Sequence, residues 1–143
     1  MTSGSPTVQE QNGGREPTSA KILVVIEDDP DVQFLIEAIF AMDPRFSVTN
    51  VAESAEEALE LARRTGPEII VLDDRLAGSL TGVEAVPQLK EAAPDAKIIL
   101  FTAHADLQAR VVNQPAIDAF LLKTETGELL PLAQQLTNML SLL

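Results

Sequence analysis

Residues 22–30, Ile22-Leu23-Val24-Val25-Ile26-Glu27-Asp28-Asp29-Pro30, decide how the rest of the chain is read. Ile22 to Ile26 is a continuous apolar run of strand length. It lacks alternation, so its strand should be buried on both faces, as in a parallel sheet. The run stops at three acids. Asp29-Pro30 then has the form of a helix N-cap followed by proline at the first helical position. Val32, Leu35, Ile36, Ile39 and Phe40 follow at helical spacing.

Strand and helix continue to alternate. Phe46 to Val51 reads as a second strand. Ser54-Ala55-Glu56-Glu57 has the capping-box form and opens a helix carrying Ala58, Leu59, Leu61 and Ala62, which stops near Gly66-Pro67. Ile69 to Leu72 is a third strand. Val83 to Ala92 is a helix in which Pro87 predicts a kink or a late start. Lys97 to Phe101 is a fourth strand, residues 105–113 a short helix, Ala119 to Leu122 a fifth strand, and Glu128 to Leu142 a closing helix. Regular alternation predicts an α/β domain: a doubly wound parallel sheet of five strands with five helices on its two faces. Residues 1–19 are rich in Ser, Thr, Gly, Pro and Gln with few apolar residues, and are expected to be a disordered tail; residues 20–143 form the domain.

Composition narrows the function classes. There is no cysteine, which removes disulfides, thiolate metal sites and Cys nucleophiles and fits a reducing, cytoplasmic setting. No apolar run approaches the roughly 20 residues of a membrane span, and no secretory signal pattern opens the chain. The net charge of −12, with the ten Lys and Arg scattered, argues against direct nucleic-acid binding. Acidity of this kind serves solubility. Where the acids sit decides whether some of them also gather at a cation.

In open sheets of this kind, ligands sit at the carboxyl ends of the strands. The first strand delivers Glu27-Asp28-Asp29 there, the third Asp73-Asp74, the fourth Thr102-Ala103-His104 and the fifth Lys123-Thr124. Carboxylates brought together repel, and a hard divalent cation relieves that repulsion. Mg²⁺ suits the set because it takes oxygen ligands at roughly 2.0–2.1 Å and keeps several waters. One carboxylate can then attack phosphorus to give an aspartyl phosphate. A cation, an ammonium and a hydroxyl are the groups that stabilise the transferring charge, and Lys123 and Thr102 supply the last two.

These residues resemble the response-regulator receiver family of two-component systems, from about Lys21 to the C-terminus. The matching blocks are Ile22 to Pro30, Ile69 to Asp73 with Arg75-Leu76 and Gly82, Leu100-Phe101-Thr102-Ala103, and Phe120-Leu121-Leu122-Lys123. The resemblance implies the flavodoxin-like strand order 2-1-3-4-5, the order of the chemotaxis receiver in that family. It implies that Asp73 accepts a phosphoryl group from a histidine kinase or a histidine phosphotransfer protein. It also implies that Asp28 holds Mg²⁺ directly, Glu27 through water, and the backbone carbonyl of Arg75 as a further ligand. Thr102 and Lys123 would bond the phosphoryl group, and Phe120 would be an aromatic switch that turns inward with Thr102. Arg75 and His104 occupy flanking positions that vary in the family, where the side chains would be either exposed and passive or placed to tune phosphoryl lifetime. The readout surface, and a possible homodimer face, would be the fourth helix, fifth strand and fifth helix, which meet a downstream protein target.

Several residues depart from the family pattern. Asp74 follows Asp73 directly, but Asp73 keeps Leu76 in the usual register. Ala77 stands where the family has proline, in a loop one residue longer, and Thr124 replaces the usual proline after Lys123. The chain is expected to be a switch and not an enzyme, beyond self-catalysed phosphotransfer and autodephosphorylation. A phosphatase of the haloacid dehalogenase type needs a second Asp where Arg75 stands. A non-phosphorylated pseudo-receiver, and a receiver cut from a longer DNA-binding regulator, are the alternatives.

Overall fold

The computed structural model describes residues 19–26, 29–78 and 80–138. The expected tail therefore lies almost wholly outside the described residues, as do Glu27 and Asp28. Five strands, β1 (Ala20–Val25), β2 (Phe46–Ala52), β3 (Ile69–Leu72), β4 (Lys97–Thr102) and β5 (Ala119–Leu122), alternate with five helices. The helices are α1 (Pro30–Phe40), α2 (Ala55–Thr65), α3 (Gly82–Ala92), α4 (Leu107–Val111) and α5 (Leu129–Leu136). The strands are all parallel, in the order β2-β1-β3-β4-β5.

Period-two side-chain alternation sorts the sheet residues into two cores. Leu23, Val25, Ile70, Leu72, Ile98 and Leu100 face a cluster that includes residues of α2, α3 and α4. Ile22, Val24, Ile69, Val71, Ile99 and Phe101 face α1 and α5, through Ile36, Phe40, Leu129 and Ala133. This is why the apolar runs of β1, β3 and β4 do not alternate: both faces are covered. Each such side chain contributes roughly 1.5–3 kcal/mol when fully buried. The edge strand β2 is less buried. It carries a bulge, for the register slips between Ile22/Val48 and Leu23/Asn50 and leaves Thr49 over, an irregularity that blunts a free sheet edge.

The helix starts follow their caps. Asp29 Oδ1 accepts the Val32 amide at 3.2 Å. Ser54 Oγ accepts the Glu57 amide at 3.1 Å, but the Glu57 carboxylate reaches one residue further back than a capping box requires and accepts the Glu53 amide at 3.0 Å. Gly66, at φ +58°, closes α2 in the left-handed conformation that glycine favours.

Two boundaries differ from the sequence expectation. α3 does not start late: Thr81 and Glu84 form a complete capping box, and the helix begins at Gly82. Pro87 lies inside it, exposed. A proline there costs roughly 3 kcal/mol, and the burial of Ala85, Val86 and Leu89 offsets it. The closing helix ends at Leu136, and residues 139–142 of the expected helix lie outside the described residues. Asn138 is left-handed at φ +59°, and Asn is the residue after glycine that takes this conformation most readily. A 3-10 segment, Lys123–Glu128, precedes α5.

One buried acid ties the helix layer together. Asp43, in the turn after α1, receives Arg45 Nη2 at 2.8 Å, the Arg45 amide at 3.0 Å and Gln134 Nε2 of α5 at 3.0 Å. The Arg45 guanidinium foremost, with Gln134 and the Arg45 amide, holds the Asp43 carboxyl well below the usual carboxylate range against the opposing effect of burial.

Candidate functional site

Because the strands are parallel, their carboxyl ends share one edge of the domain. The Asp73 amide bonds to the Val25 carbonyl at 2.9 Å, so the ladder runs one step past β3 and fixes Asp73 beside the end of β1. Asp73 is 7% exposed, uncommon for a carboxylate unless it is paired. Its partner comes from fifty residues away: Lys123 Nζ donates to Asp73 Oδ2 at 2.6 Å. The Arg75 amide donates to the other oxygen, Oδ1, at 3.3 Å. Asp74 is more exposed and turns its backbone to a structural use, its carbonyl accepting the Gly82 amide at 2.8 Å.

Thr102 ends β4 and is fully buried. Its Oγ1 accepts the His104 amide at 3.2 Å. That bond uses the oxygen as acceptor, and the hydroxyl hydrogen has no acceptor among the described residues. A buried donor without a partner costs about 1–3 kcal/mol. Asp73, Arg75, Ala103, His104 and Lys123 line one open cavity of about 310 Å³. Arg75 and His104 also line a second cavity, together with Asp74, Asp106 and Arg110.

Of the residues singled out in the sequence, Asp73 and Lys123 are thus in direct contact, and Arg75 and His104 stand around them. Thr102 lies on the neighbouring strand, two residues before His104. Phe120 is half-buried on β5, paired in register with Leu100 and packed against the core cluster of α2, α3 and α4. Glu27 and Asp28, the expected cation ligands, lie outside the described residues. Among the described residues no group of three or more His, Asp or Glu is gathered as for a metal. What they do supply is the Asp73 carboxylate at the wall of an open cavity, an oxygen donor of the kind a hard divalent cation takes.

Two features of the Asp73 loop were hidden in the sequence. Gly82 packs so closely on β3 that an added Cβ would collide with the Asp73 carbonyl oxygen. Ala77 donates its amide to the Glu53 carbonyl at 3.0 Å and forms an isolated parallel bridge with Ser54. Proline has no N–H to give there, so alanine at this position permits the tie between the loop after β3 and the loop after β2. Gly78 follows at φ +91°, where an added Cβ would lie 2.9 Å from Glu56 Oε1. The signals for these contacts were an Ala replacing Pro and two glycines, which report backbone demands without naming the partner.

The family model described as the response regulator receiver domain matches residues 23–134. The transcriptional regulatory protein DegU of Brevibacillus brevis is 34% identical over 87 residues, which is 60% of this chain and 36% of that protein. A LuxR-family two-component response regulator from an Aurantimonas species superposes with a TM-score of 0.73 at 27% identity, covering 85% of this chain and 87% of the other. The response regulator TrrA of Thermotoga maritima, solved in complex with Mg²⁺-BeF, gives 0.71 at 27% identity, covering 82% and 98%. The chain spans less than half the length of curated relatives such as DegU and the Escherichia coli nitrate/nitrite regulator NarL.

Proposed function

Since this chain belongs to the response regulator receiver domain family, we propose that it is a phosphorylation switch in which Asp73 takes a phosphoryl group from a histidine kinase or a histidine phosphotransfer protein. The observation that carries the reading is the contact of Lys123 Nζ with Asp73 Oδ2 at 2.6 Å, made inside an open cavity by residues that reach it from two strand ends. An Asp73 oxygen attacks phosphorus, the bond from phosphorus to the donor nitrogen breaks, and the donor imidazole leaves with that electron pair. Lys123 neutralises charge on the transferring group. The Thr102 hydroxyl, buried and without an acceptor among the described residues, is available to donate to a phosphoryl oxygen. Asp73, Glu27 and Asp28, with the Arg75 carbonyl, would hold Mg²⁺, which when bound supplies positive charge at the phosphoryl oxygens.

The phosphoryl group adds charge and strong acceptors where a carboxylate stood. Lys123 is the residue after β5, so its re-pairing bears directly on that strand, on Phe120 within it, and on α4 and α5 beside it. A change there alters the surface offered to a downstream protein. Arg75 and His104, on the rim of the cavity, set how readily water reaches the phosphoryl group.

The test is intact-mass measurement after incubation with acetyl phosphate and MgCl₂. The wild type should gain the mass of one phosphoryl group. Asp73→Asn should not, and Asp74→Asn should behave as wild type. A wild type that gains nothing would favour the pseudo-receiver reading instead.

A further inference from the structure

The loop that follows Asp73 is moored at two points. Its far end is held at β3, where Gly82 donates its amide to the Asp74 carbonyl at 2.8 Å and leaves no room for a Cβ. Its middle is held beyond β1, the strand that separates β3 from β2. The Ile26 amide donates to the Ala52 carbonyl at 2.9 Å, and the next carbonyl in the chain, that of Glu53, accepts the Ala77 amide at 3.0 Å. The loop therefore reaches past the end of β1 to the exit of β2, where Ala77 pairs with Ser54 in a parallel bridge.

That second mooring is also the start of α2. Ser54 is the N-cap: its Oγ accepts the Glu57 amide at 3.1 Å and its carbonyl accepts the Ala58 amide at 3.0 Å. Gly78 packs on the same turn, since a Cβ added there would lie 3.7 Å from Ser54 Cβ. A terminal helical turn has a formed and a frayed state that differ little in free energy, so a small force biases it. Asp73 stands at the other end of the span. The Arg75 amide, between Asp73 and Ala77, donates to Asp73 Oδ1 at 3.3 Å. A phosphoryl group on Asp73 changes the charge and the acceptors that this amide meets.

We propose that the tie between Ala77 and Glu53 carries the state of Asp73 to the first turn of α2, so that the switch is read at both edges of the sheet. The proposal rests on the reading of Asp73 as the phosphoacceptor. β2 and β5 are the two edge strands; α2 follows the first and Lys123 the second. Asp73 thus acts on one edge through Lys123 and on the other through its own loop. Alanine at 77 opens the second route, because proline, which the family pattern carries there, has no N–H to bond Glu53. The coupling is reciprocal: anything that steadies the first turn of α2 biases the phosphorylation equilibrium by the same factor. One hydrogen bond carries a factor of about five.

The test reads amide hydrogen exchange by NMR on the full chain, with beryllofluoride and MgCl₂ mimicking the phosphoryl group and fluorine NMR reporting its occupancy. When Asp73 is occupied, the Ala77, Glu57 and Ala58 amides should exchange about fivefold faster. The Gly66 amide, bonded to the Ala62 carbonyl at the far end of α2, should not change. In Ala77→Pro, Glu57 and Ala58 should exchange at one rate in both states. Ala77→Gly keeps the N–H and should respond as the wild type does. Asp73→Asn supplies an arm that needs no phosphoryl group, because it removes the charge that Lys123 meets. It should speed Glu57 and Ala58 in the wild-type loop and leave them unchanged in the Ala77→Pro loop.

An occupied Asp73 that leaves Glu57 and Ala58 unchanged, or an equal response in Ala77→Pro, would overturn the proposal. So would a response shared by Gly66, which marks a change of global stability. A chain that takes no beryllofluoride counts against the phosphoacceptor reading, and the Asp73→Asn arm then decides the tie by itself.

Discussion

Replacing Lys123 with methionine keeps the bulk of the side chain and removes its charge. In the structure the ammonium lies 2.6 Å from Asp73 Oδ2, with 24% of the Lys123 side chain and 10% of the Asp73 side chain exposed. At an effective dielectric of about 20, two unit charges at this distance attract by roughly 6 kcal/mol before any desolvation is charged against them. Both groups gave up water to meet, so the net is far smaller. Cutting one partner should destabilise the unmodified domain by about 1–2 kcal/mol, in the range for a hydrogen bond to a charged group. The effect on phosphotransfer should be larger, because the transferring group loses a preorganised cation. Losses of about 10²–10³-fold accompany removal of one such donor. Urea denaturation gives the first quantity, and the initial rate of mass gain with acetyl phosphate and MgCl₂ gives the second. If Lys123→Met were phosphorylated within threefold of the wild-type rate, the ion pair would be a structural staple and its assignment to phosphotransfer would be refuted.

Gly82→Ala places a methyl group against the Asp73 carbonyl oxygen; overpacking of this kind should cost about 1–3 kcal/mol, read in urea, and should slow phosphorylation by displacing Asp73. Ala77→Pro removes the N–H that bonds Glu53, so the domain should lose about 1 kcal/mol and the amides of residues 74–81 should exchange faster with deuterium; unchanged exchange would show that the tie does not order the loop. Asp43→Asn tests a pH effect of known sign. The Asp43 carboxyl titrates below its ordinary value of 3.8 in the fold, so its stabilisation is fully present above that value and is lost as pH falls below it. The variant should therefore be less stable than wild type by about 1–3 kcal/mol near pH 7, with the gap narrowing below the ordinary carboxyl value; a gap equal in urea melts near pH 7 and near pH 3 would contradict this.

Much of the fold was legible because the signals were local. Uninterrupted apolar runs such as Ile69-Ile70-Val71-Leu72 mark strands covered on two faces, and Asp29-Pro30, Ser54 and Gly66 mark helix ends through short-range backbone chemistry. Pro87 misled because its local cost competes with burial of Ala85, Val86 and Leu89, which only the assembled core supplies. The end of α5 was missed because Leu140 and Leu142 continue an apolar pattern past Asn138, and a single left-handed Asn outweighs that pattern. At the site, Asp73 and Lys123 could be paired in advance since strand ends of a parallel sheet converge on one edge. The Ala77 tie to Glu53 and the crowding of Gly82 could not, because both are backbone contacts between loops and leave no periodic trace.

The most direct test of the account is the position of the phosphoryl group. After phosphorylation with acetyl phosphate and MgCl₂, borohydride reduction converts an aspartyl phosphate to homoserine, and tandem mass spectrometry of the peptide spanning Ile69 to Arg75 locates it. Homoserine at position 73 is the predicted result. Homoserine at position 74, or an unreduced peptide from protein that carried no phosphoryl group, would contradict it.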